Sequence, residues 1–147
     1  MPYGVHDISR VQLDKGTGLP RFNMPLELGL FMGAQEYGAA EQQEKRSIVL
    51  DTEKFRYQAF CSDIAGQDIR AHGNQAAKAI AAVRGMLATA LGGAARVPGE
   101  AKITERFTQF RKELPGVCRN LHVKPKELQF VEMRSLIEEW VTLHPLG

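Results

Sequence analysis

The first fifty residues combine two short β-prone runs with one longer stretch that carries helix start and stop signals. Residues 3–8 form a short β-prone run that ends among polar side chains, and residues 47–51 form the apolar run Ser-Ile-Val-Leu-Asp. Both runs predict strands, the second a buried parallel one. Between them, a helical pattern extends from position 23 to about Tyr37 and stops at Gly38. This order predicts one βαβ crossover, right-handed by the usual rule.

The start of the predicted helix carries signals of its own. Asn23 is suited to cap the helix, Pro25 to lie in its first turn, and Glu27 to face the positive end of the helix dipole. Gly29 and Gly33 share one face of the helix, where each glycine costs about 1 kcal/mol relative to alanine. We therefore expect a neighbouring element to approach the helix closely at these glycines.

Helical patterns dominate the rest of the chain. Helices are predicted at residues 52–62, at 74–91, at about 101–114, after Pro115 and at about 132–143, with a loop at 63–68. Glycines and a proline in residues 92–100 predict a connector. The predicted organisation is therefore an α/β core over residues 1–91, a linker over 92–100 and a helical region over 101–147.

The predicted fold class is α/β, with a small parallel sheet built on the βαβ core and a helical C-terminal lobe. Only two strands are apparent from the pattern, and two parallel strands are not independently stable. Three explanations stay open. The chain contains a further strand that the pattern does not show, or a second copy or a partner completes the sheet. The third possibility is that the chain is a fragment that lacks the first part of its domain.

Composition and charge narrow the choice of partners. The chain has 147 residues, 44% hydrophobic and 24% charged, with a formal net charge of +2. These values are ordinary for a globular domain and favour neither a nucleic-acid nor a membrane partner. No apolar stretch approaches a membrane span, and the N-terminus does not resemble a signal peptide. Cys61 and Cys118 are far apart and predict free thiols in a reducing cytoplasm.

The most suggestive chemistry lies where the predicted strands end. Ligands of open α/β sheets bind beyond the carboxyl ends of the strands. Asp7, Ser9 and Arg10 follow the first strand, and the next loop leads to Asn23 and Glu27 on the helix. These side chains are therefore expected to converge on one crevice.

Glu27 is the candidate catalytic residue within this group. It is the one carboxylate on a helix face shared with Leu30, Phe31 and Ala34. A carboxylate on an apolar face at the mouth of a sheet can act as an acid, a base or a stabiliser of positive charge. The alternative is a partly exposed glutamate that only complements the helix dipole.

The same residues carry a resemblance to a known superfamily. A strand ending in Asp-x-Ser, a glycine-containing loop and the helix sequence Leu-Glu-Leu-Gly-Leu at 26–30 are similar to the nucleoside 2-deoxyribosyltransferase-like superfamily. This group includes bacterial TIR-like nucleotide-binding domains. The resemblance implies a flavodoxin- or TIR-like fold in which Glu27 acts at a ribose, breaking the N-glycosidic bond of NAD or a nucleoside. It also implies that Asp7 or Ser9 contacts the ribose or base.

Longer segments extend this resemblance. Residues 21–29 and 62–73 are similar to uncharacterised bacterial TIR-like proteins, so that the resemblance covers residues 3–73. It implies a nucleotide or nucleoside as substrate, no separate cofactor and a role in bacterial defence. Members of the superfamily begin with a further strand and helix whose loop lines the nucleotide pocket. Nothing upstream of Tyr3 corresponds to these elements, which implies a truncated member.

Other polar side chains are weaker candidates. Asp63, Asp68 and His72 form a polar group in a glycine-bounded loop, and we consider both substrate contact and turn formation for them. Asp63 and His72 are accordingly added to the predicted substrate-binding set. The four histidines show no metal-ligand spacing, so no metal site is predicted.

Two functional hypotheses follow from the sequence. The first is a domain that binds a nucleoside or nucleotide and cleaves its N-glycosidic bond with Glu27. The second is a non-catalytic module that senses a nucleotide or mediates protein assembly. Because strand edges need cover and the stripe of Leu136, Ile137 and Trp140 has few predicted partners, we also expect a homodimer or a partner protein that completes the sheet.

Overall fold

The computed structural model describes residues 2–93 and 96–146. The chain forms two compact units, Met1–Glu100 and Ala101–Gly147. The first contains the sheet, and the second is built from helices. Residues 94 and 95 of the predicted connector lie outside the described residues.

The first unit is built on a three-stranded parallel sheet in the order β1-β2-β3. Its elements are β1 (Tyr3–Asp7), α1 (Asn23–Tyr37), α2 (Ala40–Gln43), β2 (Arg46–Asp51), β3 (Ile69–Ala71) and α3 (Ala76–Ala90). The central strand pairs Asp7 of β1 with its Leu50, and its Asp51 with Ala71 of β3. The predicted α/β class, with a small parallel sheet followed by a helical C-terminal part, is confirmed.

The third strand was missed in the sequence. β3 has only three residues and carries the exposed Arg70 at its centre, so it shows neither a buried run nor a clear alternation. Its backbone nevertheless pairs firmly with the central strand, since the Val49 amide donates to the Asp68 carbonyl at 3.0 Å. The first of the three explanations therefore holds, since the sheet contains a third strand that the sequence pattern does not show.

Both faces of the sheet are covered, each by a different helix. On one face, the buried core joins Val49 of β2 to Ile8, to Leu28 of α1, and to Tyr57 and Ile64 of the connection between β2 and β3. Ile48 and Leu50 alternate with Val49, are also buried, and point to the opposite face. There α3 contacts β2 and β3. This two-sided burial explains the continuous apolar run of the central strand.

The helix predicted at 52–62 is wrong. This segment forms two short 3-10 helices, Arg56–Ala59 and Ser62–Ile64, joined by an irregular turn. Phe55, before the first of them, adopts a left-handed backbone with φ of 62°, which a continuous α-helix excludes. The segment bends in this way because Tyr57 and Ile64 pack into the core while Arg56 reaches back to the sheet.

Two details predicted for α1 are also wrong. The residue that precedes the helix is Phe22, and no side chain caps the helix, so Asn23 is its first residue and not its cap. Glu27 consequently lies in the second turn. A Cβ atom added at Gly29 or Gly33 would meet no atom within 4 Å, and so the close approach expected at these glycines does not occur within the described residues.

A buried ion pair joins the carboxyl ends of β1 and β2. Asp51 is fully buried, and its Oδ1 accepts hydrogen bonds from the Thr52 amide and from Nε and Nη2 of Arg56. Nη2 of Arg56 also donates to the carbonyl of Ile8, just beyond β1, at 3.0 Å. One guanidinium thus connects a side chain on the central strand to the backbone of its neighbour.

The second unit consists of α4 (Glu100–Asn120), α5 (Phe130–Leu143) and a 3-10 turn at Pro125–Glu127. The helix break predicted at Pro115 is wrong. Leu114 and Cys118 are buried on one side of α4, whereas Pro115 is exposed on its surface. The helix therefore continues through Pro115, although the proline cannot donate one backbone hydrogen bond.

The stripe of Leu136, Ile137 and Trp140 on α5 packs in part against α4. Trp140 of α5 is buried, meets Phe110 of α4 edge to face at 5.7 Å between ring centroids, and donates from its indole nitrogen to Glu113 at 2.6 Å. This hydrogen bond lowers the pKa of the Glu113 carboxyl, and a second from Gln109 adds to the effect. Ile137 and Phe107 stay exposed. Trp140 is therefore the centre of this small core.

Two expectations about the whole chain concern membranes and thiols. Among the helices of the described residues, none is long and apolar enough to cross a membrane. Cys61 and Cys118 are both free thiols, as predicted.

Arg56→Met should destabilise the first unit severely. The substitution leaves the buried Asp51 carboxylate without a countercharge, which typically costs about 3 to 5 kcal/mol. The free energy of unfolding from urea titration, followed by circular dichroism, measures the loss. Arg70→Met is the matched control, because the Arg70–Asp68 pair is exposed and such pairs contribute at most about 1 kcal/mol. Equal losses in both variants would contradict the structural role of the buried pair.

The second unit should lose stability on acidification through Glu113. Its pKa is lower in the fold than the ordinary value of 4.5, so the carboxylate contributes stability above that pH. The contribution is lost as pH falls through the lower folded pKa. The emission of Trp140, the only tryptophan, follows the transition. Glu113→Gln should abolish the dependence in this range, whereas an unchanged profile would contradict the assignment.

Candidate functional site

A crevice of about 360 Å³ lies at the carboxyl end of β1 and the beginning of α1. Six of its seven lining residues are polar or charged, and the lining consists of Asp7, Ser9, Arg10, Arg21, Asn23, Met24 and Glu27. Two carboxylates, two guanidinium groups, one amide and one hydroxyl therefore share this space with a single apolar side chain. Its volume is near the lower end of the range of about 300 to 1,000 Å³ found for small-molecule sites.

The loop between β1 and α1 carries Arg21 to the crevice. It folds back on itself, with Leu13 and Pro20 paired as an antiparallel bridge. Oδ1 of Asp14 accepts hydrogen bonds from the amides of Gly16 and Thr17, at 2.9 and 3.1 Å. These two bonds are the main reason why the pKa of Asp14 is lowered. The tight turn explains how a loop of this length ends beside the strand from which it started.

Asp7 is held from two sides at the end of β1. Its Oδ1 accepts a hydrogen bond from the amide of Ser9 at 3.0 Å. The same oxygen lies 3.6 Å from Nε2 of His72, the residue that follows β3. Asp7 therefore lines the crevice in a fixed orientation, with a histidine behind it.

The orientation of His72 follows from the turn after β3. Gly73 and Asn74 both have a left-handed backbone, with φ of 56° and 58°. This conformation brings the amide of Asn74 to Nδ1 of His72 at 3.0 Å, so Nδ1 accepts a hydrogen bond. In the neutral imidazole the proton then resides on Nε2, the nitrogen that faces Asp7. His72 is buried, so its contribution to the site passes through Asp7.

His6 lies one residue before Asp7, on the α1 side of the sheet. Its ring is buried and meets Phe31 of α1 edge to face, at 5.1 Å between centroids. Within the described part of the chain, neither ring nitrogen has a hydrogen-bond partner. Burial lowers the pKa of His6 below 6.5, and the negative charge of Glu27 opposes this shift. His6 is thus a neutral imidazole under the helix that carries the candidate catalytic residue.

The structure changes the expected environment of Glu27. The prediction placed it on an apolar stripe with Leu30, but Leu30 is 67% exposed and Glu27 is exposed as well. The buried residue of this turn is Leu28. Phe31, of the same stripe, is half-buried against His6, so only part of the stripe faces the sheet. Glu27 consequently faces the crevice from solvent.

The structure brings most of the predicted site residues together. Asp7, Ser9, Arg10, Asn23 and Glu27 line the crevice, and His72 touches it through Asp7. Asp63 is not brought to this crevice; it lies exposed in the 3-10 helix that follows Cys61.

Two crevice residues, Arg21 and Met24, were missed in the sequence. Their positions beside the start of α1 are the signal that could have identified them. Among the residues that the structure describes, no group of three possible metal ligands occurs.

Comparisons with protein-family models, with curated proteins and with solved structures gave no match to this chain. The functional interpretation therefore depends on the geometry of the crevice and on the chemistry of the residues that line it.

Glu27→Gln should lower the pKa of His6 further, because the variant removes the negative charge that favours the imidazolium. A histidine whose folded pKa lies below 6.5 loses stability as pH falls through 6.5, since the unfolded chain takes up the proton first. The variant should therefore lose stability over a slightly wider acidic range. NMR titration of the His6 ring protons measures the shift. Glu36→Gln, on the same helix, is the control, and equal His6 titrations in both variants would contradict the coupling.

Proposed function

We propose that this chain binds a nucleoside or nucleotide in the crevice and cleaves its N-glycosidic bond with the help of Glu27. The observation that carries the proposal is the convergence of Asp7, Ser9, Arg10, Asn23 and Glu27 on one crevice at the carboxyl edge of a parallel sheet. Ligands of open α/β sheets bind at this edge. The resemblance of residues 3–73 to the deoxyribosyltransferase-like superfamily supports the same ligand class.

The lining residues offer complementary contacts for each part of such a ligand. The carboxylates of Asp7 and Glu27 can accept hydrogen bonds from ribose hydroxyls. Arg10 and Arg21 can bind a phosphate through their planar guanidinium groups. Met24 offers an apolar contact to a base. The volume of about 360 Å³ suits a single nucleoside or mononucleotide, and so only one half of a dinucleotide such as NAD would lie inside.

The proposed reaction is hydrolysis at the anomeric carbon of the ribose. The bond from that carbon to the base nitrogen breaks, a water oxygen forms the new bond, and the base leaves with its electron pair. The Glu27 carboxylate stabilises the developing oxocarbenium charge and accepts the proton of the attacking water. The proton is then available to the departing base. Asp7, oriented by Ser9 and His72, holds the ribose.

The exposure of Glu27 favours a second candidate function. In the described residues, no hydrogen bond holds its carboxylate, whereas efficient catalytic groups are usually fixed by their neighbours. A crevice that binds a nucleotide without turning it over would explain this. The second candidate is therefore a nucleotide-sensing module in which the same residues bind the ligand.

Incubation of the full chain with a panel of nucleosides, nucleotides and NAD tests the proposal. We expect release of the free base, detected by chromatography, and Glu27→Gln should reduce its rate by about two to four orders of magnitude. Glu36→Gln is the matched control and should leave the rate unchanged, because Glu36 is exposed on α1 away from the crevice lining.

Calorimetric titration separates the two candidate functions. Binding that Asp7→Asn weakens, without release of base, would support the sensing module and exclude the hydrolase. Turnover retained by Glu27→Gln would remove Glu27 from the mechanism. Absence of both turnover and binding across the panel would overturn the proposed ligand class.

A further inference from the structure

A second, larger concavity of about 1,200 Å³ follows the outer edge of β3. We refer to it as the β3 groove. It is lined by residues 67–71, by Arg46 and Ser47 of β2, and by residues of α3 and of the segment after β2. It is separate from the crevice, because the two share no lining residue.

The outer edge of β3 offers free backbone groups to the groove. The carbonyl of Asp68 and the amide of His72 both bond to β2, at 3.0 and 2.8 Å. In a parallel ladder, alternate residues bond to the same neighbour, so the amides and carbonyls of Ile69 and Ala71 point the other way. No described strand pairs with this edge. These four groups are the template that an added strand requires.

The groove also has walls on both faces of the sheet. Ala81, Ala82 and Gly85 of α3 line it on one face, where their small side chains leave room for another backbone. Phe55 and Tyr57 line it on the other face. Phe55 is 66% exposed and is held there in a left-handed backbone conformation, which a bulky residue rarely adopts. A strand added to β3 would therefore be enclosed like an interior strand.

The charges around the groove indicate which strand would fit. Its cations are Arg46, Lys54, Arg70 and Lys78, and its carboxylates are Glu53 and Asp68. Asp68 is already paired with Arg70 at 2.6 Å, so the surplus is positive. Ile69 packs against the core on the α1 side, and Arg70 consequently points to the α3 side, where Lys78 lies.

We propose that the β3 groove binds an extended, acidic segment of another protein as a fourth strand of the sheet. Main-chain hydrogen bonds to Ile69 and Ala71 supply the affinity. Acidic side chains of the segment face α3 and meet Lys78, and Lys54 adds to the positive charge of the groove. The alternate apolar side chains of the segment meet Phe55 and Tyr57. The partner is thus recognised by an alternation of apolar and acidic residues.

Fluorescence anisotropy with labelled peptides tests this proposal on the full chain. The probe is a peptide of about six residues, the usual strand length, in which valine alternates with glutamate. We expect it to bind, and the same peptide with lysine in place of glutamate to bind at least about tenfold more weakly. Methylation of alternate peptide amides, in the register that faces β3, should abolish binding.

Charge reversal on the protein supplies the matched comparison. Lys54→Glu combined with Lys78→Glu should weaken binding of the acidic peptide by about tenfold or more and leaves β3 itself intact. Lys15→Glu combined with Lys126→Glu changes the net charge equally at residues that do not line the groove, and should have little effect. Circular dichroism verifies that each variant is folded.

Several results would overturn the proposal. Equal binding of the acidic and lysine peptides would exclude charge recognition, and equal binding of both methylated registers would exclude strand addition. Inorganic polyphosphate that displaces the peptide at equal charge concentration would indicate a general anion surface. Self-association that excludes the peptide would assign the groove to a second copy of the chain.

Discussion

The buried pair of Asp51 and Arg56 is the interaction on which the rest of the first unit depends. A carboxylate without solvent at the end of the central strand is tolerated only because a guanidinium and a backbone amide satisfy one of its oxygens. The same guanidinium binds the carbonyl of Ile8, and the amide of His72 binds the carbonyl of Asp51. The ends of all three strands are thereby fixed within a few ångströms of one charged group. Asp7 and His72, which meet at this edge, owe their mutual distance to it.

This constraint also explains which parts of the fold the sequence revealed. The helix α1 and the strand β2 were predicted closely because Pro25 and Gly38 mark the ends of the helix and the strand is uniformly apolar, so local signals suffice. Residues 52–62 have helix-like spacing too, but Arg56 has to reach Asp51 and Ile8, a tertiary requirement that no local pattern contains. β3 was not predicted, because three residues with a central arginine are too few to show a hydrophobic period. The helix break predicted at Pro115 does not occur, because burial of Leu114 and Cys118 stabilises α4 by more than the one lost backbone hydrogen bond costs.

The candidate site divides in the same way. Asp7, Ser9, Asn23 and Glu27 were placed correctly in one crevice, because the topology of a βαβ unit determines where strand and helix ends meet. Arg21 was missed, because its arrival depends on the Asp14 turn folding the loop back upon itself. The exposure of Glu27 was left open between two alternatives, because sequence spacing indicates which residues share a helix face but not which face is buried. The order of strands and helices along the chain therefore predicts which residues meet at the strand ends, but it does not predict which side chains are buried.

The placement of the helices on opposite faces has a topological consequence. The connections from β1 to β2 and from β2 to β3 lie on the α1 face, and the strands succeed one another in a single direction. α3 lies on the other face, and a right-handed crossover on that face proceeds in the reverse direction, towards β1. A further strand reached by such a crossover would lie on the outer side of β1, and the winding of the sheet would reverse there. In open α/β proteins such a reversal parts the loops above the sheet, and Asp7 and Arg10 lie at the edge where that cleft would open.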